Sequence, residues 1–345
     1  MNAPAATPLA LALRRLATGA SLTADEAADA FGQVMRGEAT PAQVGALLLG
    51  LRARGETADE VAGAVRALRA AMTVVPVAAP ERLVDTCGTG GGTVPTFNIS
   101  TAAAFVVAGA GVPVAKHGNR SFTSRSGSAD VLEALGVPVD LAPEAAAAAL
   151  AGHGFAFLFA PRHHPAMRYV GPVRQELGVP TIMNLLGPLA NPARAVRQVV
   201  GVADRARAPL VAGALARLGA AHALVVHADV GMDEASPAGT TAVWEVQDGA
   251  VRTWTLDPAS VGLAHDDLGA LAGGEPAENA ARVRALLDGA PDPAGRAAVL
   301  LNAALALVVA GRGWSLAEAA VRAAASLDGG AAAAALTAAA RPAAP

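Results

Sequence analysis

The chain changes its periodicity near residue 75, and that change restricts the folds open to it more than any other feature. Before it, a Thr precedes a Glu or Gln by three residues in three places: Thr23 with Glu26, Thr40 with Gln43 and Thr57 with Glu60. In such a pair each side chain satisfies a free backbone donor, so each Thr marks a helix start. Apolar residues then recur at helical spacing: Ala27, Ala30, Phe31, Val34 and Met35; Val44, Leu47, Leu48 and Leu51; Val61, Val65, Leu68 and Met72. Gly37 and Gly55 follow two of these helices as stops. A small helical domain over residues 1–75 is expected, with "TVVPVAAPER" as the linker out of it. From 76 to 345 short apolar runs alternate with helical stretches, the pattern of a large α/β domain with a mainly parallel central sheet. The expected strands are Leu83–Asp85, Val112–Ala115, Ala156–Phe159, Gln198–Val202, Ala223–His227 and Ala242–Val246.

Open parallel sheets bind ligands at the carboxyl ends of their strands, which gives the loops after these strands their meaning. "GTGGG" follows the first, "KHGNRSFTSRSGSAD" the second and "DVGMDEAS" the fifth, so all three crowd one edge. Gly88, Gly90, Gly91 and Gly92 let backbone N–H groups approach an anion, and a helix starting at Asn98 or Ser100 turns its positive end to the same place. Lys116 and Arg120 add positive charge, and Asn119, Ser121, Thr123, Ser124 and Ser128 add donors suited to a phosphorylated sugar. Asp233 and Glu234 are adjacent, and in a loop both can face a hard cation that carries phosphate ligands.

Composition closes other routes. With 26 basic and 29 acidic residues the net charge is -3, without the basic excess that nucleic acid or an anionic membrane demands, so any anion is held locally. Cys87 is the single cysteine and excludes an intrachain disulfide. The apolar residues Leu9 to Leu13 precede Arg14 and Arg15, the reverse of a secretory leader, and no apolar run reaches about 18 residues. A cytoplasmic protein is expected.

Together "GTGG" with "TFNIST", "KHGNR" with "SGSADVLEALG", "HHPAMRYVGPVRQELGVPTIMNLLGPLANPA" and "GMDE" make the chain resemble the anthranilate phosphoribosyltransferase family over nearly its whole length. The resemblance implies the nucleoside phosphorylase and phosphoribosyltransferase type of fold, with helices around 165–190 joining the small domain. It implies a homodimer associating through that domain, magnesium, and a cleft where phosphoribosyl pyrophosphate (PRPP) meets anthranilate. Around PRPP it places Gly88, Gly91, Gly92, Thr96, Asn98, Ile99, Ser100 and Thr101, then Lys116, His117, Gly118, Asn119, Arg120, Ser121, Phe122, Thr123, Ser124 and Ser128. Gly88, Asn119, His164 and Arg174 are the implied anthranilate contacts, and Ser100, Asp233 and Glu234 the implied magnesium ligands. One departure stands at Gly92, where the family usually has Asp, followed by Thr93 where Gly is usual. A pyrimidine nucleoside phosphorylase shares the plan but is expected to differ at "KHGNR" and to lack "RYVGPVRQELG". A nucleic-acid-binding relative without activity would need neither the acidic pair nor Arg174.

Overall fold

The structure is a computed structural model and describes residues 6–121 and 125–341. Four helices open the chain: α1 (Pro8–Ala17), α2 (Ala24–Met35), α3 (Pro41–Arg54) and α4 (Ala58–Ala70). The last three start at the expected Thr residues, with both halves of each capping box formed, and Gly55 ends α3 with φ 91°. α1 was not among the expected helices; it is capped by the Thr7 hydroxyl and buries only Leu9 and Ala12. Glu60 does more than cap. It is fully buried, takes N–H bonds from Leu22 and Thr57 at 2.8 Å, and pairs with Arg54, tying the α1–α2 connection to α4.

The second part follows the order β1 (Val84–Gly88), α5 (Ile99–Gly109), β2 (Val114–Gly118), α6 (Ser128–Ala134), α7 (Pro143–His153), β3 (Phe155–Phe159) and α8 (Ala160–His163). It continues through α9 (Gly171–Leu177), α10 (Met183–Leu189), β4 (Arg197–Gly201), α11 (Ala208–Arg217), β5 (His222–Ala228), β6 (Thr241–Gln247) and β7 (Ala250–Leu256). Four helices close it: α12 (Pro276–Leu287), α13 (Pro293–Val308), α14 (Leu316–Asp328) and α15 (Ala331–Ala339). The strands form one sheet in the order β3-β2-β1-β4-β5-β6-β7. The first five are parallel, and β6 and β7 add an antiparallel edge. β7 was not expected. Its signal was the Asp248-Gly249 turn, with φ of 51° and 74°, which closes a tight hairpin onto β6.

One face of the sheet carries α5 and α12 to α15 over a large apolar core. On the other face, α1 to α4 share a second core with α9, α10, α11 and the strand residues Val200, Val225 and Val246. The segment 165–190 therefore packs into the same apolar mass as the first four helices.

β1 and β2 run further toward the motifs than expected, to Gly88 and Gly118 rather than Asp85 and Ala115. This alters the reading of "KHGN", because successive strand residues point to opposite faces. Lys116 and His117 are strand residues and diverge: Lys116 turns to α5, where its Nζ lies 3.2 Å from Ser100 Oγ, and His117 turns to α10, where its Nδ1 lies 3.0 Å from the Gly187 carbonyl.

Candidate active site

Gly88 ends β1 opposite Gly201 of β4, and the turn carrying Asp233 and Glu234 lies across this pair of strand ends. The fit depends on missing side chains. A Cβ on Gly88 would lie 2.9 Å from Asp233 Oδ2, one on Gly92 would lie 3.0 Å from Asp233 Oδ1, and one on Gly201 would overlap the Asp233 carbonyl oxygen. Between them Gly90 and Gly91 have φ of 68° and 84°, the left-handed region that glycine enters without strain. Gly90 N–H donates to Asp233 Oδ2 at 2.9 Å, Thr89 N–H to the Gly201 carbonyl at 2.9 Å, and Thr93 N–H to the Gly231 carbonyl at 3.0 Å. The glycine loop is thus fastened to the acidic turn.

Glu234 faces the start of α5. Its carboxylate accepts from Ser100 N–H at 3.0 Å and Thr96 Oγ1 at 3.2 Å. Lys116 Nζ donates to Ser100 Oγ and to the Thr86 carbonyl, which places one buried ammonium beside the acidic pair. Burial pushes the Glu234 carboxyl up to about 8, with the neighbouring Asp233 charge adding to it. Burial also raises Asp233 and lowers Lys116. Two adjacent carboxylates against one lysine would leave negative charge uncompensated if both were ionised, which together with burial is why the pair holds a proton so readily. The donor set of Ser100 hydroxyl and two carboxylates is all hard oxygen and lines a cavity of about 20 Å³, room for a water-sized occupant. Such a set fits magnesium. It holds fewer acids than a self-sufficient cage, since no cluster of three or more His, Cys, Asp or Glu suited to a metal occurs among the described residues.

The other expected residues divide. Ile99 is fully buried and its N–H is taken by the Phe97 carbonyl at 2.6 Å; Thr101 is fully buried as well. Asn98 spends its amide on the Ser126 carbonyl (3.2 Å) and accepts from Ser126 Oγ and Asn279 Nδ2, so it ties the start of α5 to the 125–128 segment. Asn119 Oδ1 accepts from Arg120 N–H, and Ser128 Oγ donates to the Asn119 carbonyl at 3.3 Å, closing the loop after Gly118 at its base. Arg120 is engaged by Asp130 (2.8 Å) and Glu133 (2.7 Å), and Ser121 N–H by Asp130 at 3.3 Å. Phe122, Thr123 and Ser124 lie outside the described residues.

His164 follows α8 at the carboxyl end of β3 and meets His117, Nε2 to Nε2, at 3.2 Å. Arg174 sits on α9, half-buried, with its guanidinium held down by burial alone and without a hydrogen bond or ion pair among the described residues. A desolvated guanidinium without an acid is a ready receptor for a carboxylate.

The polar support beneath these groups was not expected from the sequence. Asp85, fully buried in β1, accepts from His117 N–H at 3.1 Å, Asn191 Nδ2 at 2.8 Å and Gln198 Nε2 at 3.4 Å. Asn191 also donates to the Ala115 carbonyl and Gln198 to the Pro188 carbonyl. Burial raises the Asp85 carboxyl despite these donors. A charged residue inside the apolar strand "RLVDTCG" was the available signal.

Comparison with known proteins agrees with this construction. Two family models match: the helical bundle domain of the glycosyl transferase family over residues 11–72 and its a/b domain over residues 80–333. The class is therefore that of two-part glycosyl transferases. Anthranilate phosphoribosyltransferase from Azorhizobium caulinodans is 52% identical over 320 residues, 93% of this chain and 92% of the relative. The enzyme of that name from Thermomicrobium roseum is 53% identical over 323 residues, 93% and 92% of the two chains. A crystal structure of anthranilate phosphoribosyltransferase from Thermus thermophilus superposes with a TM-score of 0.89 at 44% identity, covering 94% of this chain and 97% of the other. That from Saccharomyces cerevisiae in complex with PRPP and Mg gives 0.86 at 28% identity, covering 96% of each. The chain belongs to the anthranilate phosphoribosyltransferase family.

The seat of the acidic turn can be tested without substrate. Gly201→Ala forces a methyl into the Asp233 carbonyl, so β4 and the turn must separate. We expect a loss of about 3 kcal/mol in stability, read as a lower Tm, together with loss of turnover. A variant that melts and turns over like the parent would show that the turn does not rest on Gly201.

Proposed function

We propose that this chain transfers the 5-phosphoribosyl group of PRPP to the amine of anthranilate, releasing pyrophosphate and N-(5-phosphoribosyl)anthranilate, as a step of tryptophan biosynthesis. The observation that carries the reading is the convergence of the glycine loop, Ser100, Lys116 and the buried carboxylate pair on one sheet edge, with the unpaired Arg174 guanidinium on α9. PRPP would lie along the glycine loop and the start of α5, where Lys116 and loop amides face the pyrophosphate. Ser100, Asp233 and Glu234 would hold magnesium. When bound, magnesium supplies positive charge that offsets the charge of the departing pyrophosphate.

Lys116 is fixed before any ligand arrives, since Thr86 and Ser100 already hold its ammonium. A preorganised cation of this kind stabilises charge as it develops without rearranging. Arg174 would orient anthranilate through its carboxylate and so set the amine against the anomeric carbon, which contributes through positioning. Residues 1–75, with the helices of 165–190, would form the small domain and 76–345 the large one. The exposed Leu11 and Leu49, on α1 and α3, support association of two copies through the helical part.

Mixing the protein with anthranilate, PRPP and magnesium should extinguish anthranilate fluorescence as product forms; no change with all three present refutes the reading. Arg174→Ala should raise KM for anthranilate by about 10- to 100-fold, the value of a charge-assisted hydrogen bond, and leave KM for PRPP near the parent's. The reverse pattern puts the arginine in the wrong subsite. Gly92→Asp adds a carboxylate beside Asp233 at a backbone without positive φ. Its gross attraction to a cation, about 4 kcal/mol per unit charge at 4 Å and an effective dielectric near 20, is largely cancelled by repulsion from pyrophosphate. A several-fold fall in the magnesium concentration for half-activation is the expected net result, with Gly92→Asn as the steric control. Superimposable magnesium curves would mean that residue 92 does not face the metal.

A further inference from the structure

Helix α13 is apolar and buried from Ala297 to Leu307 except for one polar side chain, Asn302, which is itself buried. An amide in such a place costs stability unless its donors and acceptor are used. Asn302 uses them. Its Oδ1 accepts from Ala235 N–H at 3.0 Å, and its Nδ2 donates to the Ala235 carbonyl at 2.8 Å and to the Ala298 carbonyl, one turn back on α13, at 2.9 Å. Both carbonyls can only accept, which fixes the end of the amide that carries nitrogen. The bond to Ala298 steadies the side chain on its own helix, and the other two grip Ala235.

Ala235 follows Glu234, and the grip acts on the acid through the backbone. The Ala235 N–H belongs to the planar peptide unit that leaves Glu234, and the Asp233 carbonyl belongs to the unit that enters it. Asn302 holds the first, and the second lies against Gly201, where a Cβ would overlap it. With both flanking units fixed, the Glu234 side chain reaches Ser100 N–H and Thr96 Oγ1 by its own torsions alone. Asn302 also lines the cavity of about 20 Å³ with Ser100, Asp233 and Glu234, so the clamp stands beside the acids. The helix that holds the turn and the helix that receives Glu234 share one apolar core.

We propose that Asn302 is a positioning residue for the acidic pair, clamping Ala235 so that Glu234 is fixed against the start of α5 before PRPP and magnesium arrive. The proposal rests on the function proposed above, which places the cation on Ser100, Asp233 and Glu234. Both hydrogens of the Asn302 amide are spent on carbonyls, so it acts through the turn. A side-chain amide suits the task because it presents an acceptor and a donor side by side, matching the N–H and carbonyl of one residue. Leucine would fit the pattern of α13 but leave both Ala235 groups buried and unpaired. Aspartate would turn a carboxylate on two carbonyls and set a third acid beside the pair.

Calorimetry separates this role from a merely structural one. In Asn302→Ala the Kd for PRPP in the presence of magnesium should rise by about 10-fold or more, the usual cost of losing a group that orients metal ligands, while KM for anthranilate at saturating PRPP stays within about twofold. Ser326→Ala is the control: it removes a buried bond to the Val106 carbonyl of α5 and should lower Tm while leaving the Kd for PRPP at the parent's value. An Asn302→Ala variant with the parent's Kd, or with PRPP and anthranilate weakened alike, overturns the proposal, as does a control that loses as much PRPP affinity. Hydrogen exchange on the unmodified, ligand-free protein decides if the Ala variant does not fold. The Ala235 amide should then exchange as slowly as the amides of β5, and exchange at the rate of an open loop overturns the clamp. A parent that binds no PRPP with magnesium refutes the functional reading, whereas a binding parent matched by Asn302→Ala refutes the role of Asn302 alone.

Discussion

The acidic turn can lie over the strand ends because Gly201 beneath it has no side chain, and it lies closest where Gly88 and Gly92 are bare as well. Gly88, Gly92 and Gly201 together make a bare floor, and Asp233 occupies it with its carboxylate toward the first two and its carbonyl against the third. From that one seating the rest of the edge follows. Asp233 draws in Gly90 and fixes the glycine loop, Glu234 takes the start of α5, and Ser100 on that helix holds Lys116. Removing the turn would release the glycine loop and the Glu234 contacts to α5, leaving Lys116 and Thr86 to hold Ser100 to the sheet.

A second constraint works from below. Asp85 is a buried acid whose partners are neutral N–H groups, which is costly unless every acceptor position is used. Its donors come from three separate segments: the His117 backbone, Asn191 beyond α10, and Gln198 in β4. It therefore fixes how α10 lies against β2. That relation sets the distance from the Gly187 carbonyl to His117, and so the orientation of both histidines. Strand alternation completes the design by sending Lys116 to the acidic side and His117 to the other from adjacent positions.

What could be read in the sequence was what depends on local chemistry. Capping boxes are self-contained within four residues, and all three formed as read. Six strands were found from their apolar runs: β1 to β5 are parallel and covered on both faces, which favours such runs, and β6 keeps enough of one in Ala242–Val246 to be read despite its antiparallel place. β7 was missed because "AVRTWTL" is largely exposed and its apolar residues are interleaved with polar ones. At the site, the glycine loop, Lys116 and the acidic pair were legible as motifs after strands. The direction of each side chain was not. Arg120 reads as a phosphate ligand beside Lys116, yet its guanidinium is held by Asp130 and Glu133 from the following helix, a pairing that only the closed loop creates. Asn98 likewise reads as a ligand residue and is spent on Asn279, 181 residues away in sequence. Asp85 and the histidine contact depend on segments brought together by the sheet, and no spacing in the chain encodes them.

The charge arrangement explains how an acidic edge can serve an anionic substrate. Without ligand, Asp233 and Glu234 face one buried ammonium, and burial already raises both carboxyls. A bare pyrophosphate would meet repulsion from this pair. A pyrophosphate that brings a divalent cation would reverse the sign, because in the proposed site Asp233 and Glu234 would face the cation while Lys116 remained for the phosphates. In the proposed site, Gly at residue 92 would make this dependence stronger, since fewer protein charges would be present to retain a cation on their own. The same reasoning separates the two ends of the proposed site. In that reading the PRPP end would be balanced by a cation that travels with the ligand, whereas Arg174 stands unpaired and would need only the carboxylate of the acceptor to become neutral. An acceptor without that carboxylate would leave a half-buried guanidinium uncompensated, so in the proposed function selection for anthranilate would follow from the cost of the empty site as much as from the contact made when it is filled.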